Sequence, residues 1–122
     1  MSCVKSWGGF RAVLRAFCPR MQVEVAVKKV NQWGDCGEAS IMKQMAHVKI
    51  VSLIEVFDDA KGRYLILELC HNGCLGDIME ICGKQELASV RYAVAGITIA
   101  LEHVHSRNIL HCDVKPLNIN VE

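Results

Sequence analysis

Apolar and polar positions alternate along residues 22–30. Val23, Val25 and Val27 fall on one side, and Glu24, Ala26 and Lys28 on the other. That period predicts a strand with two unlike faces. Residues 4–17 read as two short strands around a Gly8-Gly9 turn, with Val13-Leu14 and Phe17 as apolar strand content. Residues 50–57 and 63–70 are two further strand candidates, joined by the hairpin loop Asp58-Asp59-Ala60-Lys61-Gly62. After a polar connection from Asn31 to Gly37, the positions Glu38, Ile41, Met42 and Met45 recur at helical spacing and predict a helix over 38–46.

Past residue 70 the period lengthens. His71-Asn72-Gly73 is a break, a short helix is expected over 75–82 and a long one over 86–106. In the long helix Leu87, Val90, Val94, Ile97, Leu101 and Val104 step by three and four, and Ala93 and Ala100 widen the stripe. A stripe that wide calls for covering elements. For this chain by itself it predicts self-association through the face of helix 86–106, a bound partner, or low stability. A loop over 108–118 and a short strand over 119–121 follow. Strands first and helices after make an α+β arrangement.

Composition narrows the class. Of 122 residues, 52% are apolar and 22% charged, which fits one core-rich globular domain rather than a disordered chain. A net charge of +1 gives no sign of nucleic acid or an acidic membrane as partner. No uninterrupted apolar run reaches the roughly 18–20 residues of a membrane span. Met1 to Phe10 has one lysine and no apolar core, unlike a signal peptide. Seven cysteines, an odd number without disulfide or zinc spacing, point to a reducing compartment, cytoplasm or nucleus.

The richest chemistry lies in His111-Cys112-Asp113-Val114-Lys115-Pro116-Leu117-Asn118. An aspartate suited to accept a hydroxyl proton, a lysine to neutralise phosphate and an asparagine to hold a metal ion follow one another after a long helix. The stretch resembles the catalytic loop of eukaryotic-type protein kinases. Three further segments match that family in order. Ser6-Trp7-Gly8-Gly9-Phe10-Arg11-Ala12-Val13 is similar to its glycine-rich loop, with Ser6 and Arg11 where the family has glycine. Arg11 there either reaches a phosphate or blocks one, and Gly8-Gly9 read alone is an ordinary hairpin turn. Val25-Ala26-Val27-Lys28 is similar to the strand that carries the phosphate-binding lysine. Glu38 to His47 with Ile50-Val51 is similar to the helix whose glutamate pairs with that lysine, after a connection several residues shorter than usual. On their own, Lys28 also suits a surface lysine of an edge strand and Glu38 a solvated helix-start charge. Tyr64 to Cys70, which alone is a buried strand, resembles the segment joining the small lobe to the large one.

The resemblance implies a protein-kinase-like small lobe over 1–70, an antiparallel five-stranded sheet plus one helix. The first helices and catalytic loop of the large lobe follow over 71–122. It implies ATP and Mg2+ as cofactors and Ser/Thr hydroxyls of proteins as acceptors, Lys115 being the Ser/Thr rather than the tyrosine pattern. Asp113 would be the base and Lys115 would contact the transferred phosphate. Asn118 would hold the metal. Gly8, Gly9, Val13, Ala26, Lys28, Glu38 and the backbone of Glu68 and Cys70 would hold the nucleotide, with Leu67 gating the space behind the adenine. Cys112 replaces an arginine that pairs with an activation-loop phosphate, which implies control without that phosphorylation. Asn120 stands where the family has an apolar residue under the adenine. The chain ends at Glu122, before an Asp-Phe-Gly segment, so transfer by this chain alone is not expected. The alternative is a non-catalytic module, a truncated pseudokinase that engages a partner kinase or its regulator.

Overall fold

A computed structural model describes residues 13–30 and 37–121. They comprise four strands and three α-helices: β1 (Val13–Cys18), β2 (Val23–Val30), α1 (Glu38–Gln44), β3 (Leu53–Asp59), β4 (Gly62–Glu68), α2 (Leu75–Cys82) and α3 (Leu87–His105), with a 3-10 turn at Pro116–Asn118. The strands form one antiparallel sheet in the order β1-β2-β4-β3. The sheet expected from sequence has five strands. The fifth, before Gly8-Gly9, falls outside the described residues, as do Gly8 and Gly9 themselves. The described residues group into two compact units, one from Met1–Ala46 and Val51–Leu69, the other from His47–Ile50 and Cys70–Glu122.

In the first unit, β2 lies between β1 and β4, so Lys28 is not on an edge strand. The alternation read from sequence sets Ala26 opposite Leu67 and Lys28 opposite Leu65 of β4. Lys29, on the other side, lies 5.9 Å from the Tyr64 ring centroid. Val30 and Leu65 have no exposed surface, and Ala39 of α1 closes over them with Met42, Leu53, Val56 and Leu67 around the rim. This cluster anchors α1 to the sheet through the burial of apolar area. The helix begins at Gly37, whose φ of +85° is a left-handed conformation that costs glycine least. Glu38 in its first turn and Lys43 in its last complement the helix dipole.

The β3–β4 hairpin is tighter than the polar run 58–62 suggests. Asp58 pairs with Arg63 and Asp59 with Gly62, leaving Ala60-Lys61 as the turn. The reason is a cross-strand pair: the Arg63 guanidinium donates to both Asp58 oxygens, at 2.8 and 3.1 Å. Two polar residues that read as loop are therefore strand.

In the second unit, α2 starts at Cys74, whose Sγ accepts the Asp77 N–H at 3.4 Å. Gly76 faces the 3-10 turn, and a Cβ there would stand 2.7 Å from Leu117 Cδ2 and 3.3 Å from the Leu117 nitrogen. The turn and α2 thus approach closer than any side chain at 76 allows. The strand expected at 119–121 is reduced to a single bridge between Cys74 and Asn120. It is flanked by Leu75 N–H to Ile119 O at 2.7 Å and Val121 N–H to Gly73 O at 3.0 Å. The stripe of α3 is buried only toward its C-terminal end: Val104 is buried, Ile97 and Leu101 half-buried, and Leu87, Val90 and Val94 exposed. With 19 residues and a mean hydropathy of 1.2, α3 also meets the length and composition of a membrane span. The helix contains no uninterrupted apolar run of that length, since Arg91 and Glu102 interrupt it.

Candidate functional site

The first unit brings Lys28 and Glu38 together. Lys28 Nζ donates to Glu38 Oε1, with the side chains 24% and 31% exposed. The ten-residue separation is long enough for β2 and α1 to meet because Glu38 is the first residue of the helix. A charge-assisted bond between partly buried groups fixes the ammonium in one place. Val13 of β1 is the register partner of Lys28, and Ala26 is buried two residues before it. Val13, Ala26 and Lys28 therefore occupy one patch of the sheet. Glu68 ends β4, its N–H donating to Ser52 O at 3.1 Å. Leu67 packs against the core cluster. Cys70 follows in the connection to α2. A separate cavity of about 500 Å3 beside α1 is lined by Gly37, Ala39, Lys43, Val56, Asp58 and Arg63, among others, and by none of the predicted site residues.

The second unit brings Asp113, Lys115 and Asn118 together. Asp113 Oδ2 accepts from Lys115 Nζ and from Asn118 Nδ2, both at 2.9 Å. Asn118 Nδ2 also reaches the Asp113 carbonyl at 2.8 Å, and the Asp113 N–H donates to His111 Nδ1 at 3.3 Å. The backbone makes this possible in two ways. Cys112 has a φ of +60°, an unusual value outside glycine that turns the chain between His111 and Asp113. The 3-10 turn, held by Asn118 N–H to Lys115 O at 2.9 Å, folds Asn118 back over the aspartate. The Lys115 ammonium and then the Asn118 amide hold the Asp113 carboxyl below its ordinary 3.8, against a smaller opposing effect of burial. Asp113 is therefore an anion at neutral pH and able to take a proton only transiently.

The donor set suits a hard cation in part. With its NH2 group given to Asp113, the Asn118 amide oxygen remains as a hard donor beside a carboxylate. Among the described residues no group of three or more His, Cys, Asp or Glu side chains could hold a metal.

Sequence reasoning missed the supports of this loop, Gly76 and the 73–75 backbone that grips 119 and 121. The only signal was a glycine inside a predicted helix, which marks a close approach.

The profile of the protein kinase domain matches residues 7–122. The chain is 32% identical to Serine/threonine-protein kinase 33 of Bos taurus over 94% of its own length and 25% of that protein. It is 43% identical to Calcium-dependent protein kinase 5 of Plasmodium falciparum over 67% of its length and 14% of that protein. Its structure matches a crystal structure of Rad53 1-466 in complex with AMP-PNP. The TM-score is 0.84 at 26% identity, over 98% of this chain and 34% of that one. The chain thus spans about a quarter or less of these two relatives and a third of the solved structure. On the profile and the Ser/Thr kinases it matches, the chain belongs to the protein kinase domain family.

Proposed function

We propose that the chain is the nucleotide-holding and hydroxyl-activating part of a Ser/Thr protein kinase. Lys28, oriented by Glu38, binds the α- and β-phosphates of ATP. Asp113 accepts the proton of a protein Ser or Thr hydroxyl as its oxygen attacks the γ-phosphorus. Lys115 neutralises charge on the transferred phosphoryl group, and Asn118 holds Mg2+, which when bound offsets phosphate charge. The observation that carries this reading is the Asp113–Lys115–Asn118 cluster, a poised carboxylate with a cation and a metal-donor oxygen on one short loop. Val13, Ala26 and the backbone of Glu68 and Cys70 are assigned to the nucleoside, as are Gly8 and Gly9 to the phosphates, by family resemblance. The AMP-PNP in the Rad53 structure supports ATP as the ligand. The kinase-domain match supports α3 as a helix of that domain rather than a membrane span, and its exposed apolar residues as a surface for self-association or a partner. Cysteine usage supports a cytoplasmic or nuclear setting.

The test is titration of the chain with ATP, with and without Mg2+, for wild type, Lys28→Ala and Asp113→Asn, since transfer by this chain alone is not expected. Binding that is lost in Lys28→Ala is the expected result, and equal binding in wild type and Lys28→Ala contradicts the reading. A second reading, a non-catalytic binding module, is favoured by one observation: Asn120 is a polar residue where the family packs an apolar one under adenine. Binding of a protein partner by a chain that binds no ATP would select it.

A further inference from the structure

The segment His47–Ile50 follows α1 in sequence yet groups with the second unit. Two contacts hold it on α3. The His47 and His103 rings stack with centroids 4.5 Å apart and planes tilted by 40°. The Lys49 ammonium lies 5.1 Å from the Tyr92 ring centroid and 3.3 Å from its hydroxyl. The segment is itself a tight turn, closed by Ile50 N–H to His47 O at 3.0 Å.

The histidine contact has an unusual feature. His103 Nε2 is buried and has no hydrogen-bond partner among the described residues. His47 Nδ1 accepts the Lys49 N–H at 3.0 Å, so that nitrogen carries a lone pair and the ring is neutral. We infer that the His47–His103 pair is a proton-sensitive clasp, closed while both rings are neutral and opened by protonation of His103. An imidazolium carries N–H on both nitrogens. At His103 the Nε2–H would then be a buried charged donor with no acceptor. Among the described residues, the charged groups that act on it include no carboxylate. They are His47, with Lys49 two residues on, and Arg107 at the end of its own helix. Glu102 adjoins it in sequence but is exposed, and residues one apart on a helix do not face each other. Burial first, then Arg107 and His47, lower the His103 value from the ordinary 6.5. A neutral-favouring site of this kind is most stable above that ordinary value. It loses stability as pH falls below it, because the open form takes up the proton first. The clasp is independent of phosphoryl transfer. It makes the stretch leading from α1 to β3 responsive to pH in the histidine range.

The experiment is a histidine-ring NMR titration of the full chain, read together with the amide shifts and exchange of Val48, Lys49 and Ile50. The expected result is a His103 midpoint below 6.5 with the three amides changing at that same midpoint. In His103→Phe, which keeps a ring at the contact, the amide step should vanish. A His103 midpoint at or above 6.5, or an amide step that persists in His103→Phe, overturns the proposal. Should that variant not fold, the wild-type midpoint decides alone, and His47→Phe supplies the same comparison from the other ring.

Discussion

At the scale of residues, two side-chain groups carry the account, and each answers to a different substitution. Lys28→Ala removes the ammonium that pairs with Glu38. A lost charge-assisted bond to phosphate costs about 1.5–3 kcal/mol, so ATP affinity should fall roughly 10–100-fold by titration calorimetry. Lys115→Ala removes the main cause of the low Asp113 value. Its carboxyl should titrate closer to 3.8, read by 13C shifts. The sign follows from the depressed value. Ionised Asp113 contributes stability above the ordinary carboxylate range, and that contribution disappears as pH falls through its folded value. Lys115→Ala should therefore lower stability at neutral pH, flatten the rise between the folded and the ordinary carboxylate values, and leave stability below the folded value unchanged. The residue types at 28, 38, 113, 115 and 118 were legible in the sequence because their chemistry is local and their spacing distinctive. The His47–His103 contact was not, since two isolated histidines 56 positions apart carry no period.

Among the elements, the residue pattern is readable wherever one face is buried and misleading where polar side chains pair across strands. The alternation in 22–30 translates directly into β2, and the short helix expected over 75–82 after the break at 71–73 is α2. Asp58 and Asp59 read as loop because both are polar, yet they lie in β3 opposite Arg63 and Gly62, and the Asp58–Arg63 pair closes the hairpin. Residues 119–121 read as a strand because they are extended, yet their partner is the start of α2 and only one bridge forms. The sheet's core makes its own prediction. Leu65 is fully buried at the centre of the cluster under α1, so Leu65→Ala should lower stability by about 2–5 kcal/mol in denaturant unfolding. For α3 the exposed Leu87, Val90, Tyr92 and Val94 predict concentration-dependent association in light scattering. A monodisperse monomer across the range would contradict that.

At the scale of the whole molecule, the order of segments matters more than any one motif. A degenerate glycine pattern, a lysine on a central strand, a glutamate at a helix start and the loop around Asp113 follow one another as they do across the kinase domain, and the match extends over residues 7–122. If Lys28 holds the phosphates of ATP, as proposed, the nucleotide stabilises the folded chain. The most direct measurement is the melting temperature of the chain with ATP and Mg2+, for wild type and Lys28→Ala. At a hundredfold excess over Kd, ligand should add about 2.7 kcal/mol, a rise of roughly ten degrees. This rise should need Mg2+ in full, be largely lost in Lys28→Ala and shrink in Asn118→Ala. An equal rise in wild type and Lys28→Ala, or no rise in either at millimolar ATP, would contradict the proposal.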